Sequence, residues 1–582
     1  MSSDCNRRRL ETIPAAAVGG EKEVDRISGL PDEIIHRILS LVDPQKEAAK
    51  ASVLSHRWSK LWRSYPILEF HNTQFASTES AERFAAAASE KFSPSIAVEA
   101  VRIKFNHQKE WDVNFCSAFL DNMLDLAAKR SPLPQEIDIE AEFDRKTHSH
   151  VNFDGSGTYS IPRGLLLPRS NSNPNHRFRL KILKLVNCNF DRFKDIEINS
   201  NHFSGLGSSL RQLFLTQVSF PAGCQILNSI IAGASLLQEL FLCVVPGIWR
   251  LQFRNLGNLK VLDIHECPVE YLEITGVHSL ETLCITEAPL GGDFVVSPMP
   301  NLKSLNIHDA CQLTQEKFDE LISKSPSLES LSVGGLAKVQ ELKIFNADKL
   351  WRLGLSCWAQ LRAIEMKAPK LCDFRYSGRI DFFIKFLGEV GSYRKEARQS
   401  LEARYWSFGT DEKEFHALRK FLAQLTQFWF RLTLDFYFRE SYEHRWEEFQ
   451  EKSPIPRVEH IQIEWDFSIL INKDAFFDDL FQNFHPNYLS FTREEYSYST
   501  STEDYLVAVE YVCKKFMERN SNNHCGTTCK CWHHQFKDMK IIKRVRDGRI
   551  KVEDGDKVMD ISPDTCSSFA EAKQILLLLI WD

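Results

Sequence analysis

A short hydrophobic unit recurs along the middle of the chain, and this recurrence limits the possible fold more than any other sequence feature. The unit has the pattern apolar-x-x-apolar-x-apolar. It begins at Leu180, Leu210, Leu237, Ile248, Leu259, Val269, Leu280, Leu302, Leu328, Val339, Leu350, Leu361 and Leu371. Successive starts from 237 to 280 differ by 11, 11, 10 and 11 residues, and those from 328 to 371 by 11, 11, 11 and 10. A fixed internal period predicts a solenoid of stacked units rather than one globular core.

The step is about half the length of a leucine-rich repeat, which has roughly 20 to 29 residues and one strand. The extra units, such as VEYLEI at 269–274 between LKVLDI at 259–264 and LETLCI at 280–285, therefore fall on the return path of each repeat. We expect short strands on both walls of the array. The segment 313–325, LTQEKFDELISKS, has a helical pattern that accounts for the longer step there.

Within each unit, the fourth residue after the start lies between two inward positions of a strand and should point away from the core. On one wall these residues are varied: Phe241, Asp263, Cys284, Asn306, Ser332, Gly354 and Arg375. On the other wall they are more uniformly solvent-like: Gln252, Glu273, Lys343 and Glu365. The varied wall is the better surface for ligand contacts, with Phe241, Asp263, Asn306 and Arg375 as candidate substrate-binding residues. The alternative is that each of them is merely solvated.

A second pattern, of three short helices, occupies residues 25–70. Pro31 suits a first helical turn, and Asp32 and Glu33 favour a helix N-terminus there. Apolar residues at 34, 35, 38, 39 and 42 form one face of the first helix, and those at 58, 61 and 62 form a face of the third. A module of this size cannot bury all of these apolar side chains internally. The remaining ones either bind a partner or pack on the rest of the chain. Spacing alone leaves both possibilities open.

The runs LPDEIIHRILSLV and ASVLSHRWSKLW closely resemble the F-box of the plant F-box/leucine-rich-repeat family. The array also resembles this family, most clearly at 368–371 (APKL) and 376–378 (YSG). The connection at 43–45 (DPQ) departs from the family by about one extra residue. The resemblance implies binding to the Skp-type linker of a cullin-RING ubiquitin ligase. The implied linker-binding residues are Leu30, Pro31, Ile34, Ile38, Leu54, Trp58 and Trp62.

The expected fold class is therefore α/β, with four parts. Residues 1–24 form a disordered tail, 25–70 the F-box, 71–380 the solenoid and 381–582 an FBD-like α/β cap that continues the same sheet. Residues 71–179 read as irregular first repeats, with helices in AERFAAAASEKF and FCSAFLDNMLDLAAKR and strands in VEAVRIKF and QEIDIEA. The polar stretch 148–175 reads as a loop. The cap is expected to contain helices at 411–426, 474–484 and 503–517.

The chain has 15 cysteines but no apolar signal segment at its N-terminus, which predicts reduced thiols inside a cell. Cys525, Cys529, Cys531 and His533 lie within nine positions, yet their spacing suits a structural zinc site poorly. We expect a turn with free thiols there, and neither a bound metal nor a cofactor.

The charge balance and the missing motifs narrow the function. A net charge of -6 gives no general attraction for nucleic acid, and the apolar run at 575–581 is too short for a membrane span. G-x-x-x-x-G-K-[ST], H-E-x-x-H and G-x-S-x-G do not occur in the sequence, so no catalytic role is expected. With the resemblance, this predicts a non-catalytic substrate-recognition subunit of an SCF-type ubiquitin ligase in the nucleus or cytoplasm. The alternative is an F-box receptor in which a small molecule within the solenoid recruits the target.

Overall fold

The computed structural model describes much of the array and parts of both ends of the chain. It describes residues 30–41, 57, 60–61, 66–91, 98–106, 111–128, 134–143, 158–166, 179–195, 209–221, 224–290, 294–310, 312–345, 347–356, 361–377, 383–386, 400–407, 413–423, 429–436, 455, 457–464, 473–492, 511–516, 532–545, 550–554 and 572–581. The predicted tail at 1–24 lies outside these residues.

Strands dominate the described part of the chain. In chain order they are β1 (Ile67–His71), β2 (Ala100–Phe105), β3 (Glu136–Ala141), β4 (Tyr159–Ser160), β5 (Ile182–Val186), β6 (Cys188–Asn189), β7 (Gln212–Thr216), β8 (Glu239–Cys243), β9 (Arg250–Arg254), β10 (Val261–His265), β11 (Tyr271–Thr275), β12 (Thr282–Thr286), β13 (Phe294–Val296), β14 (Ser304–His308), β15 (Ser330–Gly334), β16 (Glu341–Ile344), β17 (Arg352–Ser356), β18 (Ala363–Met366), β19 (Asp373–Ser377), β20 (Phe383–Phe386), β21 (Ser400–Ser407), β22 (Trp429–Phe436), β23 (Arg457–Glu464), β24 (His485–Thr492), β25 (Phe536–Val545), β26 (Ile550–Asp554) and β27 (Ala572–Trp581).

Helices are fewer and lie mainly near the two ends of the array. They are α1 (Asp32–Leu41), α2 (Thr78–Lys91), α3 (Val113–Ala128), α4 (Arg163–Leu166), α5 (Cys224–Gly233), α6 (Gln315–Ser323), α7 (Lys413–Ala423), α8 (Lys473–Asn483) and α9 (Trp532–Gln535). Residues 511–516 are also helical. The helix predicted at 313–325 is confirmed as α6, whose first turn is capped by the Thr314 side chain accepting from the Lys317 N–H.

The largest sheet, called the main wall here, has 19 strands among the described residues. Its parallel part runs in the order β1-β2-β3-β5-β7-β8-β10-β12-β14-β15-β17-β19-β21-β22-β23-β24. At the β24 edge, β27, β25 and β26 are added by antiparallel pairing. The expectation that the C-terminal region continues the same sheet is therefore confirmed for these strands.

A second wall lies on the return path, as the half-step predicted. It consists of two parallel three-stranded sheets, β9-β11-β13 and β16-β18-β20. Each of the 13 units identified in the sequence contains a strand that begins two residues after the unit start. The solenoid with strands on both walls is thus confirmed.

The core between the walls is formed by in-register rows of aliphatic side chains. Leu262 of β10 lies opposite Leu283 of β12, which lies opposite Leu305 of β14. Leu272 of β11 and Leu342 of β16, on the second wall, are also fully buried. Burying one such side chain contributes about 1.5 to 3 kcal/mol, so the rows account for much of the cohesion between repeats.

A left-handed residue follows every main-wall strand from β5 to β15. These residues are Asn187, Gln217, Val244, Glu266, Glu287, Asp309 and Gly335, with φ between 47° and 62°. Each donates its backbone N–H to the carbonyl of the last residue in the next strand, as Glu266 does to Thr286 at 2.9 Å. The chain is therefore turned away from the wall at the same point in every repeat.

The prediction of a loop at 148–175 is wrong for the described part of this stretch, residues 158–166. There β4 pairs with β6, and α4 follows it. Tyr159, Ile161 and Leu166 are fully buried, and the Tyr159 hydroxyl donates to Asp121 Oδ1 at 2.6 Å. Burial of these three side chains orders a stretch whose average composition is polar.

Candidate partner and substrate surfaces

The N-terminal module presents an apolar stripe along α1. The carbonyl of Pro31 accepts hydrogen bonds from the backbone N–H groups of Ile34 and Ile35, both at 3.1 Å, which closes the first helical turn. Ile35 is fully buried, whereas Ile34 is 47% exposed and Pro31 is exposed. Pro31, Ile34 and half-buried Ile38 are spaced three and four residues apart, so they share one side of the helix.

The start of α1 is tied to a residue distant in sequence. Arg57 donates to the carbonyl oxygen of half-buried Leu30 at 2.5 Å and forms an ion pair with Asp32 at 2.6 Å. Ile35 and Leu61, which is 4% exposed, both belong to the core rather than to the surface. The module thus separates core residues from the stripe Pro31, Ile34 and Ile38. Leu54, Trp58 and Trp62 lie outside the described residues, and their predicted role stays a prediction.

The second surface is the open face of the main wall, defined as the first, third and fifth residues of β8, β10, β12, β14, β15, β17 and β19. Strand register places the third residues in one row: Phe241, Asp263, Cys284, Asn306, Ser332, Gly354 and Arg375. Neighbouring strands lie about 4.8 Å apart. The four candidate residues therefore lie on one surface, but three strand intervals separate Asn306 from Arg375.

The row changes character along its length. The Phe241 ring lies 6.3 Å from that of Phe214 and 5.6 Å from the His265 imidazole. At the other end, Asp373 pairs with Arg352 at 2.7 Å and with Arg375 at 3.3 Å. An aromatic patch and a charged patch thus flank a centre of small polar side chains.

His308 lies at the centre of this polar region. One of its ring nitrogens, Nε2, is 2.9 Å from the Ser332 hydroxyl, and the other, Nδ1, is 2.9 Å from the Ser356 hydroxyl. In the register, Gly334 lies between His308 and Ser356, and a Cβ at Gly334 would approach His308 Nδ1 to 2.5 Å. Burial lowers the pKa of His308, so the ring is held neutral, with one nitrogen donating and the other accepting.

Asp263, His265 and Cys284 form a second cluster on the open face. His265 Nε2 lies 2.6 Å from Asp263 Oδ1 and 3.8 Å from Cys284 Sγ. Asp263 was predicted from the sequence but His265 and His308 were not, because the prediction rested only on the third residue of each strand. The fifth residue also points outward, since side chains alternate with a period of two.

The second wall differs from its prediction at one position. Glu273, expected to be solvent-like, is only 8% exposed. Its carboxylate accepts two hydrogen bonds from Arg254, both at 2.7 Å, and others from Gln252 at 3.0 Å and the Tyr271 hydroxyl at 3.1 Å. The paired guanidinium, followed by the other donors, lowers the pKa of Glu273 to about 2.

The cysteine cluster near the C-terminus lies largely beyond the described residues. Of the cysteine cluster near the C-terminus, only His533 is described, so the thiols predicted there stay a prediction. In the described part of the chain, no helix combines the length and the apolar character needed to cross a membrane.

Comparison with known proteins identifies the two domains in which these surfaces lie. The family model for the F-box domain matches residues 27–70, and the model described as the At1g61320/AtMIF1 LRR domain matches residues 240–400. The chain therefore combines an F-box with a leucine-rich-repeat domain, and the resemblance to the plant F-box/leucine-rich-repeat family is confirmed.

Relatives from Arabidopsis thaliana are similar over either a short segment or most of their length. "Putative F-box/LRR-repeat protein At4g15060" is 40% identical over 62 residues, which are 11% of this chain and 14% of that relative. "FBD-associated F-box protein At4g10400" is 26% identical over 384 residues, 61% of this chain and 87% of the relative. "F-box/FBD/LRR-repeat protein At3g52680" is 24% identical over 375 residues, 62% of this chain and 73% of the relative.

Proposed function

We propose that this protein is a non-catalytic substrate-recognition subunit of an SCF-type ubiquitin ligase. The F-box binds the Skp-type linker, and through it a cullin-RING ligase, while the open face captures the target protein. The combination of an F-box and a leucine-rich-repeat domain, shared with proteins named for both, supports this role. We also propose that it acts inside the cell, in the nucleus or cytoplasm, because its 15 cysteines are expected to be reduced thiols there.

One observation carries the proposal most directly. Ile34 is 47% exposed beside the fully buried Ile35, so α1 keeps a large apolar side chain on the surface of a small module. Its neighbours Pro31 and Ile38 extend this surface into a stripe of the kind that docks against a partner helix or groove. The open face lies on the separate repeat array, which leaves room for a second partner.

Linker binding can be tested with full-length variants. Leu30→Ala combined with Pro31→Ala should weaken binding of a Skp-type linker at least about a hundredfold, because truncating a Leu that becomes buried in the complex costs about 2 to 5 kcal/mol and 1.4 kcal/mol is tenfold in affinity. Ile34→Ala should also weaken linker binding, because it removes an exposed apolar contact. The fold should be kept, because this exposed side chain contributes little to it. Surface plasmon resonance with purified linker measures the change.

Glu33→Ala is the matched control, since Glu33 is exposed on α1 next to Ile34. It should bind the linker like the parent chain. Equal binding by the parent chain and the Leu30/Pro31 double variant would overturn the linker assignment, provided that both are folded by circular dichroism. Phe241→Ala with Arg375→Ala should instead lower target capture and leave linker binding unchanged.

The small-molecule receptor alternative requires a site enclosed by the solenoid. The candidate residues lie on an open sheet face, which is more typical of recognition of a protein surface. This alternative therefore stays a hypothesis.

A further inference from the structure

Three metal-ligand side chains converge on the open face because of the strand register. Asp263 and His265 are the third and fifth residues of β10, so both point outward. Cys284 lies directly opposite Asp263 on β12. One ligand atom of each residue lies within 4.8 Å of the others. Nineteen residues separate His265 from Cys284 in the chain, so no local motif marks the group.

Two oxygen atoms at the same place lack a hydrogen-bond partner among the described residues. They are the buried Oδ1 atoms of Asp263 and of Asn306, which lies opposite Cys284 on the next strand. Although His265 Nε2 is only 2.6 Å from Asp263 Oδ1, the contact does not have hydrogen-bond geometry. Leaving a buried acceptor unpaired costs about 1 to 3 kcal/mol. These two acceptors lie beside one thiol and one imidazole, in a cluster that could hold a metal ion.

We propose that Asp263, His265 and Cys284 bind a divalent transition-metal ion of the zinc class. A thiolate, an imidazole and a carboxylate are the donors that zinc uses in proteins, whereas magnesium and calcium select oxygen donors alone. A water molecule completes a tetrahedral set, or Asn306 does so once its amide turns Oδ1 towards the ion in place of Nδ2, which donates to Cys284 Sγ at 3.4 Å.

The distances suit such an ion with a small adjustment. Tetrahedral zinc, with Zn–S of about 2.3 Å and Zn–N of about 2.05 Å, separates the sulfur and nitrogen ligands by about 3.5 Å. Cys284 Sγ and His265 Nε2 are 3.8 Å apart. The carboxylate oxygen at 2.6 Å is closer to His265 Nε2 than the roughly 3.4 Å expected between a nitrogen and an oxygen ligand. A rotation of the Asp263 side chain that moves its carboxylate oxygen by less than about an ångström opens this gap.

Metal binding must displace the proton of the Cys284 thiol. Burial, the largest cause, raises the pKa of the Cys284 thiol to about 11, so the free protein carries a proton on this sulfur. The metal ion replaces that proton, which is released to solvent, and forms a metal–thiolate bond. His265 supplies a ring nitrogen as a second ligand.

The test uses the full-length protein without a histidine tag, stripped of metal by a chelator and then titrated with Co²⁺ and Zn²⁺. Cobalt bound by Cys284 should give a thiolate-to-cobalt charge-transfer absorption band, and zinc should then displace it. Cys284→Ser should abolish the band and weaken zinc binding at least about a hundredfold, since changes even to the residues that orient metal ligands cost about 10- to 100-fold. Asp263→Asn should weaken zinc binding while keeping the band.

Two controls separate this site from other thiols. Cys372→Ser removes a partly exposed cysteine preceding β19 and should leave the band unchanged. Cys529→Ser with Cys531→Ser removes thiols of the C-terminal cluster and should also leave it unchanged. A parent protein without the band, or a band that survives Cys284→Ser, would overturn the proposal. Because no linker or target enters the measurement, its outcome is independent of the proposed adaptor role.

Discussion

Glu273 gives the sharpest stability prediction, because its carboxylate holds neighbouring strands of the second wall together. Arg254 and Gln252 lie on β9, whereas Glu273 and Tyr271 lie on β11. Replacing Glu273 with Gln removes the charge and one acceptor, and leaves the Arg254 guanidinium without its carboxylate. We expect the free energy of unfolding to fall.

The size of the loss follows from the pKa. The Glu273 pKa is lowered from 4.5 to about 2, and each pKa unit corresponds to 1.36 kcal/mol, which gives about 3 kcal/mol as an upper bound. The Arg254 side chain is 58% exposed, so solvent screens the pair. We therefore expect Glu273→Gln to cost about 1 to 2 kcal/mol, measured by urea unfolding of the full chain.

The same interaction predicts a pH dependence with a definite sign. A carboxyl whose pKa is lower in the folded state than in the unfolded state stabilises the fold when ionised in both. The contribution of Glu273 is fully present above about pH 4.5 and is lost as the pH falls towards 2. Between pH 7 and pH 3, the stability difference between the parent chain and Glu273→Gln should therefore shrink.

Glu365→Gln is the matched control. Glu365 occupies the same position of its unit on the second wall, but its contact with Lys385 is 3.5 Å long and the lysine side chain is 65% exposed. Its replacement should cost less than about 0.5 kcal/mol. The reasoning would be refuted if the two variants were equally stable, or if the Glu273 difference grew on acidification.

Two further predictions concern the main wall. Leu283→Asp should bury an unpaired charge and destabilise the array by several kcal/mol, whereas Thr282→Asp, outward on the same strand, should change urea stability and limited proteolysis little. Gly334→Ala should displace the His308 ring and cost about 1 to 3 kcal/mol in thermal unfolding, whereas Gly354→Ala, whose nearest contact would be at 3.2 Å, should cost less.

The sequence predicted the array well because its signal is local. Inward residues such as Leu262 and Ile264 alternate with outward ones within five positions, and the period repeats this pattern in each unit. The alternation depends only on whether a residue is buried, so a single unit is enough to identify a strand. Both walls were predicted for this reason.

Cross-strand chemistry was not predictable in the same way. Glu273 was expected to be solvated because the sequence does not show that Arg254, 19 residues earlier, lies beside it. His308 likewise meets Ser356 only because β15 places glycine between them. These contacts depend on strand register, which follows from the length of every intervening turn.

The turns explain why the strand register of the main wall is so regular, although the sequences of the turns vary. The left-handed residue after a main-wall strand is valine at 244, glutamate at 266 and aspartate at 309, yet each donates the same backbone hydrogen bond to the next repeat. Because only the backbone takes part, the turn tolerates varied side chains at a modest cost in strain. It also limits each main-wall strand from β8 to β15 to five residues, and β17 and β19 have the same length, which leaves three outward side chains per strand. The open face is therefore a grid of three columns, in which residues can be exchanged for a new target without altering the buried rows beneath them.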